Sequence, residues 1–298
     1  MHSASHHEAR RGARDRRRLS LALALTAAVM VLEVAGGLWA NSLALLSDAG
    51  HMLTDVLSLG MALFAATVAC RPATAYKTYG YHRVEILTAL TNGVILLAVC
   101  LIIFYEAVER FIRPQPVDGD LLLLVAGIGL LTNLGGMALL SRAESIGARS
   151  ARLHVAGDAL SSAGVLAGGL VISWTAWYRI DSIVSFAIGL VVLVGAFRLL
   201  KETVDILLEA TPRGMEPTDV TRAIEGMTGI KGVHDLHIWC ITSGMPALSG
   251  HVILEDDWLA RSDEALNRIK DMLRTRFEIQ HTTIQFESET YTEVGEVH

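Results

Sequence analysis

"SDAGHMLTD", residues 47–55, lies inside a run that is otherwise apolar from 41 to 69, and it puts Asp48, His51 and Asp55 where a membrane-spanning helix would carry no charge. A charged side chain at the bilayer centre costs roughly 2.5–3.5 kcal/mol on insertion scales, so such residues usually face a cavity and mark an ion or proton path. Whether the chain around them crosses a membrane decides how these nine residues are read.

The 298 residues are 52% hydrophobic and 19% charged, with a mean hydropathy of +0.42. That balance is high for a soluble protein. Apolar blocks near or above the ~20 residues that cross a bilayer recur at 19–39, 43–69, 84–111, 121–140, 155–177 and 182–200. The expected core is therefore a six-helix all-α membrane domain over 19–205, after a basic, histidine-containing tail at 1–18. The basic start "RRGARDRRR" runs into the first block without a convincing cleavage site, so that block is expected to be retained.

Lys and Arg in the short loops set the orientation. Arg10, Arg11 and Arg14 precede the first block, Arg71, Lys77 and Arg83 follow the second, and Arg142, Arg149 and Arg152 follow the fourth. The alternate loops offer little beyond Arg110, Arg113 and Arg179, which puts both termini in the cytoplasm. The net charge of −6 comes mostly from the C-terminal third and argues against a nucleic-acid surface there. Cys70, Cys100 and Cys240 are widely spaced, so neither a disulfide framework nor a thiolate cluster is expected. Metal chemistry would have to use nitrogen and oxygen.

Beyond Lys201 the composition changes. "EATPRGMEPTD" marks a boundary, and 206–290 reads as a small α+β domain ahead of a tail at 291–298. A helix opened by Pro217, alternating segments at 232–242 and 246–254, a helical stretch at 259–277 and a final alternation at 282–287 give the order α-β-β-α-β. A small open sheet with helices on one face follows from it. Gly164 and Gly168 form a GxxxG spacing that permits close helix approach.

The fifth block begins "HVAGDALSS", so His154 and Asp158 repeat the four-residue spacing of His51 and Asp55. Residues four apart share one face of a helix. Each pair alone could be a local hydrogen bond between helices. Two identical pairs in two spans could instead offer two imidazoles and two carboxylates to one tetrahedral ion, a donor set suited to Zn²⁺. Asp48, one turn before His51, fits an acceptor behind the ligands or a cavity-lining group.

"NSLALLSDAGHMLTD", "YGYHRVEIL", "HVAGDALSS", "GVHDLHIW" and "HTTIQFE", in this order, resemble the cation diffusion facilitators, especially bacterial zinc, cadmium and cobalt exporters. The resemblance covers about 19–289. It implies a homodimer with six helices per protomer, a ferredoxin-like cytoplasmic domain, exchange of a divalent metal for protons, and placement in a bacterial inner membrane. It also implies transport ligands at His51, Asp55, His154 and Asp158, a cytoplasmic site drawn from His234, His251, His281 and Glu287, and an Arg83–Glu209 charge interlock at the hinge of the membrane domain. His237 is read as a polar residue on a wet strand face. The family's metal site in the loop after the second span is poorly matched, since that loop holds only His82.

Proton and metal would compete for such a site, because a ligating histidine must be neutral and a ligating carboxylate ionised. Imidazole favours Zn²⁺, Co²⁺, Ni²⁺ or Cu²⁺ over harder ions; Zn²⁺ leads, with Cd²⁺ next by the resemblance. His2, His6 and His7 could recruit metal or simply belong to a disordered tail, and Glu33 could line the cavity or snorkel toward Arg83. Two other classes are weaker. An intramembrane metalloprotease needs an open coordination position and a base, as in HExxH, and no HExxH occurs, so an enzyme is not expected. A membrane-bound metal sensor would need no ligands within the spans.

Overall fold

The structure is a computed structural model describing residues 24–69, 71–140 and 146–291, with some helical positions, Asp55 and His154 among them, described by backbone only. The N-terminal tail with His2, His6 and His7, the residues 292–298 and Cys70 lie outside the described residues. The chain divides into one unit of residues 1–61 and 91–198 and a second of residues 62–90 and 199–298.

The first unit is helical. It contains α1 (Ala24–Ala40), most of α2 (Leu43–Ala69) and α3 (Val84–Ile112), α4 (Gly119–Leu140), α5 (Ile146–Thr175) and most of α6 (Arg179–Leu207). Among the described residues, four helical stretches are long and apolar enough to cross a membrane: Val84–Ile112, Gly119–Ala138, Val155–Thr175 and Arg179–Leu207. Ile102, Leu131, Val191 and Phe197 stand exposed on them, as lipid contact requires.

Helices α4 and α5 pack along one another, and small residues make that possible. A Cβ at Gly169 would lie 2.3 Å from Cδ2 of Leu122. Of the GxxxG pair, Gly168 takes the close contact, against Val184 of α6, while Gly164 faces open space.

The start of α2 is fixed from outside the helix. The first amides of any helix lack intrahelical acceptors, and here the carboxylate of Asp181, in the first turn of α6, supplies them. Leu43 and Ala44 donate their backbone N–H to Oδ2 and Oδ1 at 2.7 and 3.2 Å, and the Ser42 hydroxyl donates to Oδ1 at 2.6 Å. A carboxylate at a helix N-terminus also opposes the positive end of the dipole. Arg110 Nη1 donates to the carbonyl of Asn41 at 2.8 Å, holding the turn that precedes α2.

The C-terminal part of the second unit is a three-stranded sheet with helices on one side. Its elements are α7 (Pro217–Glu225), β1 (Ile230–Thr242), β2 (Met245–Leu254), the short α8 (Asp256–Leu259), α9 (Ser262–Phe277) and β3 (His281–Ser288). The sheet order is β1-β2-β3, with β1 antiparallel to β2 and β2 parallel to β3. Val220 and Ile224 of α7 and Ile269 and Leu273 of α9 close over Ile238, Leu248 and Val252 of the sheet.

Gly229 sits at φ +88°, and a Cβ there would meet the Trp258 ring at 2.2 Å. Arg261 and Arg268 flank that ring, their guanidinium carbons 4.2 and 5.2 Å from its centroid. Gly229→Ala is expected to destabilise this domain by roughly 2–3 kcal/mol, from left-handed backbone strain together with overpacking. Chemical denaturation followed by Trp fluorescence would show it, and an unchanged midpoint would contradict the packing described.

Candidate metal centre

Helices α2 and α5 meet at a polar patch in the first unit. His51 Nε2 lies 3.3 Å from Oδ1 of Asp158, whose side chain is 4% exposed. One turn earlier on α2, the buried Asp48 accepts from two hydroxyls of α5: Ser161 donates to Oδ1 at 2.5 Å and Ser162 to Oδ2 at 3.1 Å. Asn133 of α4 donates to the Ser162 oxygen at 3.3 Å. The serines follow Asp158 at i+3 and i+4, so they share its helix face.

Asp55 and His154 share helices with this pair, at i+4 from His51 and i−4 from Asp158. Their side chains lie outside the described residues. Glu33 of α1 is fully buried, and its two carboxylate oxygens have no hydrogen-bond partner among the described residues. Oε1 lies where a Cβ on Gly129 of α4 would be only 2.6 Å away, so the glycine makes room for the carboxyl. Arg83 pairs instead with Glu209, Nη2 to Oε1 at 2.9 Å, both side chains about half exposed.

The second unit holds another cluster. His234 of β1 and His251 of β2 are cross-strand partners, their rings edge-on with centroids 5.1 Å apart. Strand alternation puts Val252 and Phe286 on the helix-covered side of the sheet and His251 and Glu287 on the other. Glu287 Oε2 lies 2.9 Å from His234 Nε2, and Oε1 lies 2.9 Å from His251 Nδ1. Gln285 also donates to Oε1, at 2.9 Å. One ligand atom from each of His234, His251 and Glu287 falls within 4.8 Å of the other two. Two nitrogens and a carboxylate oxygen are the donors zinc takes, at about 2.0–2.2 Å each, so a small contraction around an ion would satisfy all three.

His281 is not in that cluster. It is exposed at the start of β3, edge-on to Tyr79 with centroids 6.2 Å apart. His237 is largely exposed and pairs with Asp235 at 2.9 Å. Asp235 lies in the bulge between His234 and His237, at φ +47°. Asp235 Oδ2 also reaches within 3.9 Å of His251 Nε2. Cys100 and Cys240 are buried free thiols, and burial pushes the Cys240 thiol up.

Burial raises the pKa of Glu287, but the hydrogen bonds from His234 and Gln285 and the charges of His234 and His251 outweigh it. The net value is held below the ordinary 4.5. A carboxylate with a lowered folded pKa contributes stability that is complete above its ordinary value and is lost as pH falls through the lowered one. In chelator-treated protein, the difference in thermal midpoint between wild type and Glu287→Gln is therefore expected to shrink as pH falls below 4.5. A difference that stays constant through that window would contradict the pairing.

Comparison with known proteins divides the chain between residues 208 and 212. The profile of the cation efflux transmembrane domain matches residues 19–208, and that of the cation efflux protein cytoplasmic domain matches 212–289. The chain is 42% identical over 275 residues to the metal cation efflux system protein CzcD of Cupriavidus metallidurans, covering 92% of this chain and 87% of that one. It is 41% identical to the cadmium, cobalt and zinc/H(+)-K(+) antiporter of Bacillus subtilis, covering 88% and 86% of the two chains. It is 39% identical to the zinc transporter ZitB of Escherichia coli, covering 91% and 87%.

Proposed function

Since the chain belongs to the cation efflux family, whose members move metal cations across membranes, we propose that it exports a divalent transition metal, zinc first, in exchange for protons. The observation that carries this reading is the meeting of His51 and Asp158 across α2 and α5. With Asp55 and His154 they would make a two-nitrogen, two-oxygen site for the cargo. Cadmium, cobalt and nickel are the next candidates, because imidazole accepts all of them.

The exchange follows from the donors. Metal binds neutral imidazole and ionised carboxylate, and protons arriving from outside displace it. The side chains themselves are the proton carriers. Asp48, held by Ser161 and Ser162, ties α2 to α5, so both halves of the site move as a pair between inward-facing and outward-facing cavities. The full reading has six spans per protomer, a homodimer in a bacterial inner membrane, both termini cytoplasmic, and a ferredoxin-like tail domain. In the tail, His234, His251 and Glu287 would hold an ion that neutralises the buried carboxylate and reports the cytosolic metal load. Arg83–Glu209 links the loop after α2 to the end of α6 as a hinge contact.

The test uses inside-out vesicles with an acid interior. Such a gradient is expected to drive ⁶⁵Zn²⁺ uptake clearly above leak, and collapse of the gradient by an ionophore should stop it. Uptake that survives the collapse would remove proton coupling, and no uptake of any of these metals would remove transport.

A further inference from the structure

A cavity of about 360 Å³ opens between the loop that follows α2 and strand β1, entirely within the second unit. Its walls include Tyr76, Lys77, Tyr79, His82 and Arg83 from the loop and Trp239 from β1. Folded turns shape the loop. Thr74 and Lys77 exchange both backbone hydrogen bonds, at 3.2 and 3.1 Å, and Gly80, at φ +75°, donates its N–H to the Lys77 carbonyl at 2.8 Å. The Lys77 ammonium stands 4.4 Å from the Tyr81 ring centroid.

Three features converge on one class of ligand. The loop joins two apolar helices, and such a connection lies at the level of the lipid headgroups. Tyr76 is fully exposed and Tyr79 half exposed, and tyrosine and tryptophan settle at that interface. The cavity's charge is positive in a chain whose net charge is −6: Lys77 and Arg83 stand against Glu209, a difference of +1, beside the His82 imidazole. Arg83 already satisfies Glu209, which leaves Lys77 and His82 to an incoming anion. Basic pockets beside membrane spans are the places where anionic headgroups bind.

We propose that this cavity is a headgroup site for an anionic phospholipid, its phosphate held by Lys77 and His82 and its glycerol edge lying against Tyr79 and Trp239. The site shares no residue with either histidine–carboxylate cluster and does not depend on which metal is carried.

The test is native mass spectrometry of the full-length protein with phosphatidylglycerol or with phosphatidylcholine of the same chains. Wild type is expected to retain phosphatidylglycerol preferentially, and Lys77→Gln with His82→Gln to weaken that preference about fivefold or more, the scale of one lysine at a charged membrane. Arg71→Gln, on the same loop and exposed but outside the cavity, is expected to leave it unchanged. Equal losses for the two variants would mean diffuse surface attraction and would overturn the site. So would a preference that survives Lys77→Gln with His82→Gln. Displacement of the lipid by millimolar inorganic phosphate would identify a free-anion site and overturn the lipid assignment.

Discussion

Asp158→Ala is expected to reduce zinc transport by about a hundredfold or more, a loss at least as large as that caused by removing outer-shell partners of a metal ligand. The carboxylate is almost wholly buried and faces His51 of another helix at 3.3 Å. Its removal takes away one donor and one of the carboxylates that face the His51 imidazole. Asp158→Asn preserves shape but not charge, so it should transport almost as poorly. Ser162→Ala leaves the ligands in place and loosens the hold on Asp48 and on Asn133, so a loss of about tenfold is expected, the lower end for such supporting contacts. Uptake of ⁶⁵Zn²⁺ at matched expression, with dimer content checked by size exclusion, measures all three. Wild-type rates in Asp158→Ala would make the His51–Asp158 contact structural.

Asp181→Ala is expected to be the most damaging change away from the metal. Its carboxylate takes three hydrogen bonds from Ser42 and the first two residues of α2 and is buried. Alanine would leave two backbone amides and a hydroxyl unsatisfied in a dry setting. Hydrogen bonds to a charged group contribute roughly 1.5–3 kcal/mol each, and partial rearrangement should leave a net loss of about 3 kcal/mol. Thermal unfolding in detergent should show a midpoint lower by about 6–12 °C, with Asp181→Asn intermediate because an amide oxygen still accepts. Because α2 carries His51, metal affinity should fall in step with stability. An unchanged midpoint would contradict the cap.

These two residues also mark how far the sequence could be read. The repeated His-x-x-x-Asp spacing was visible because it is local: four residues make one helical turn, and charge in an apolar run is conspicuous. Likewise Pro217, the alternation at 246–254 and the helical spacing of 259–277 foretold α7, β2 and α9 within a few residues. Asp181 gave no signal, since the amides it caps lie about 138 positions away. Ser161 and Ser162 stood in the quoted motif without a role, because two serines in a helix ordinarily bond their own backbone. Only the approach of α2 shows that they serve Asp48.

The tail cluster depended on register. His234, His251 and Glu287 lie on three strands, and a shift of one residue would have turned any of them to the other face. His281 ranked behind these three in sequence, and it begins β3 where the strand pairs with Ala247, well short of the His251 level. Glu33 presented two options. Its carboxyl is fully buried beside Gly129, and Arg83 pairs with Glu209, facts that no local sequence pattern announced.

Two histidines and two aspartates of α2 and α5 would together hold the cargo. Zinc K-edge absorption of the full-length protein tests it most directly, with His234, His251 and Glu287 replaced by alanine so that the tail cluster is silent. A four-coordinate nitrogen and oxygen shell at about 2.0 Å with two imidazoles, reduced to one imidazole by His51→Ala, is the predicted result. A spectrum without imidazole scattering, or one that His51→Ala leaves unaltered, would contradict it.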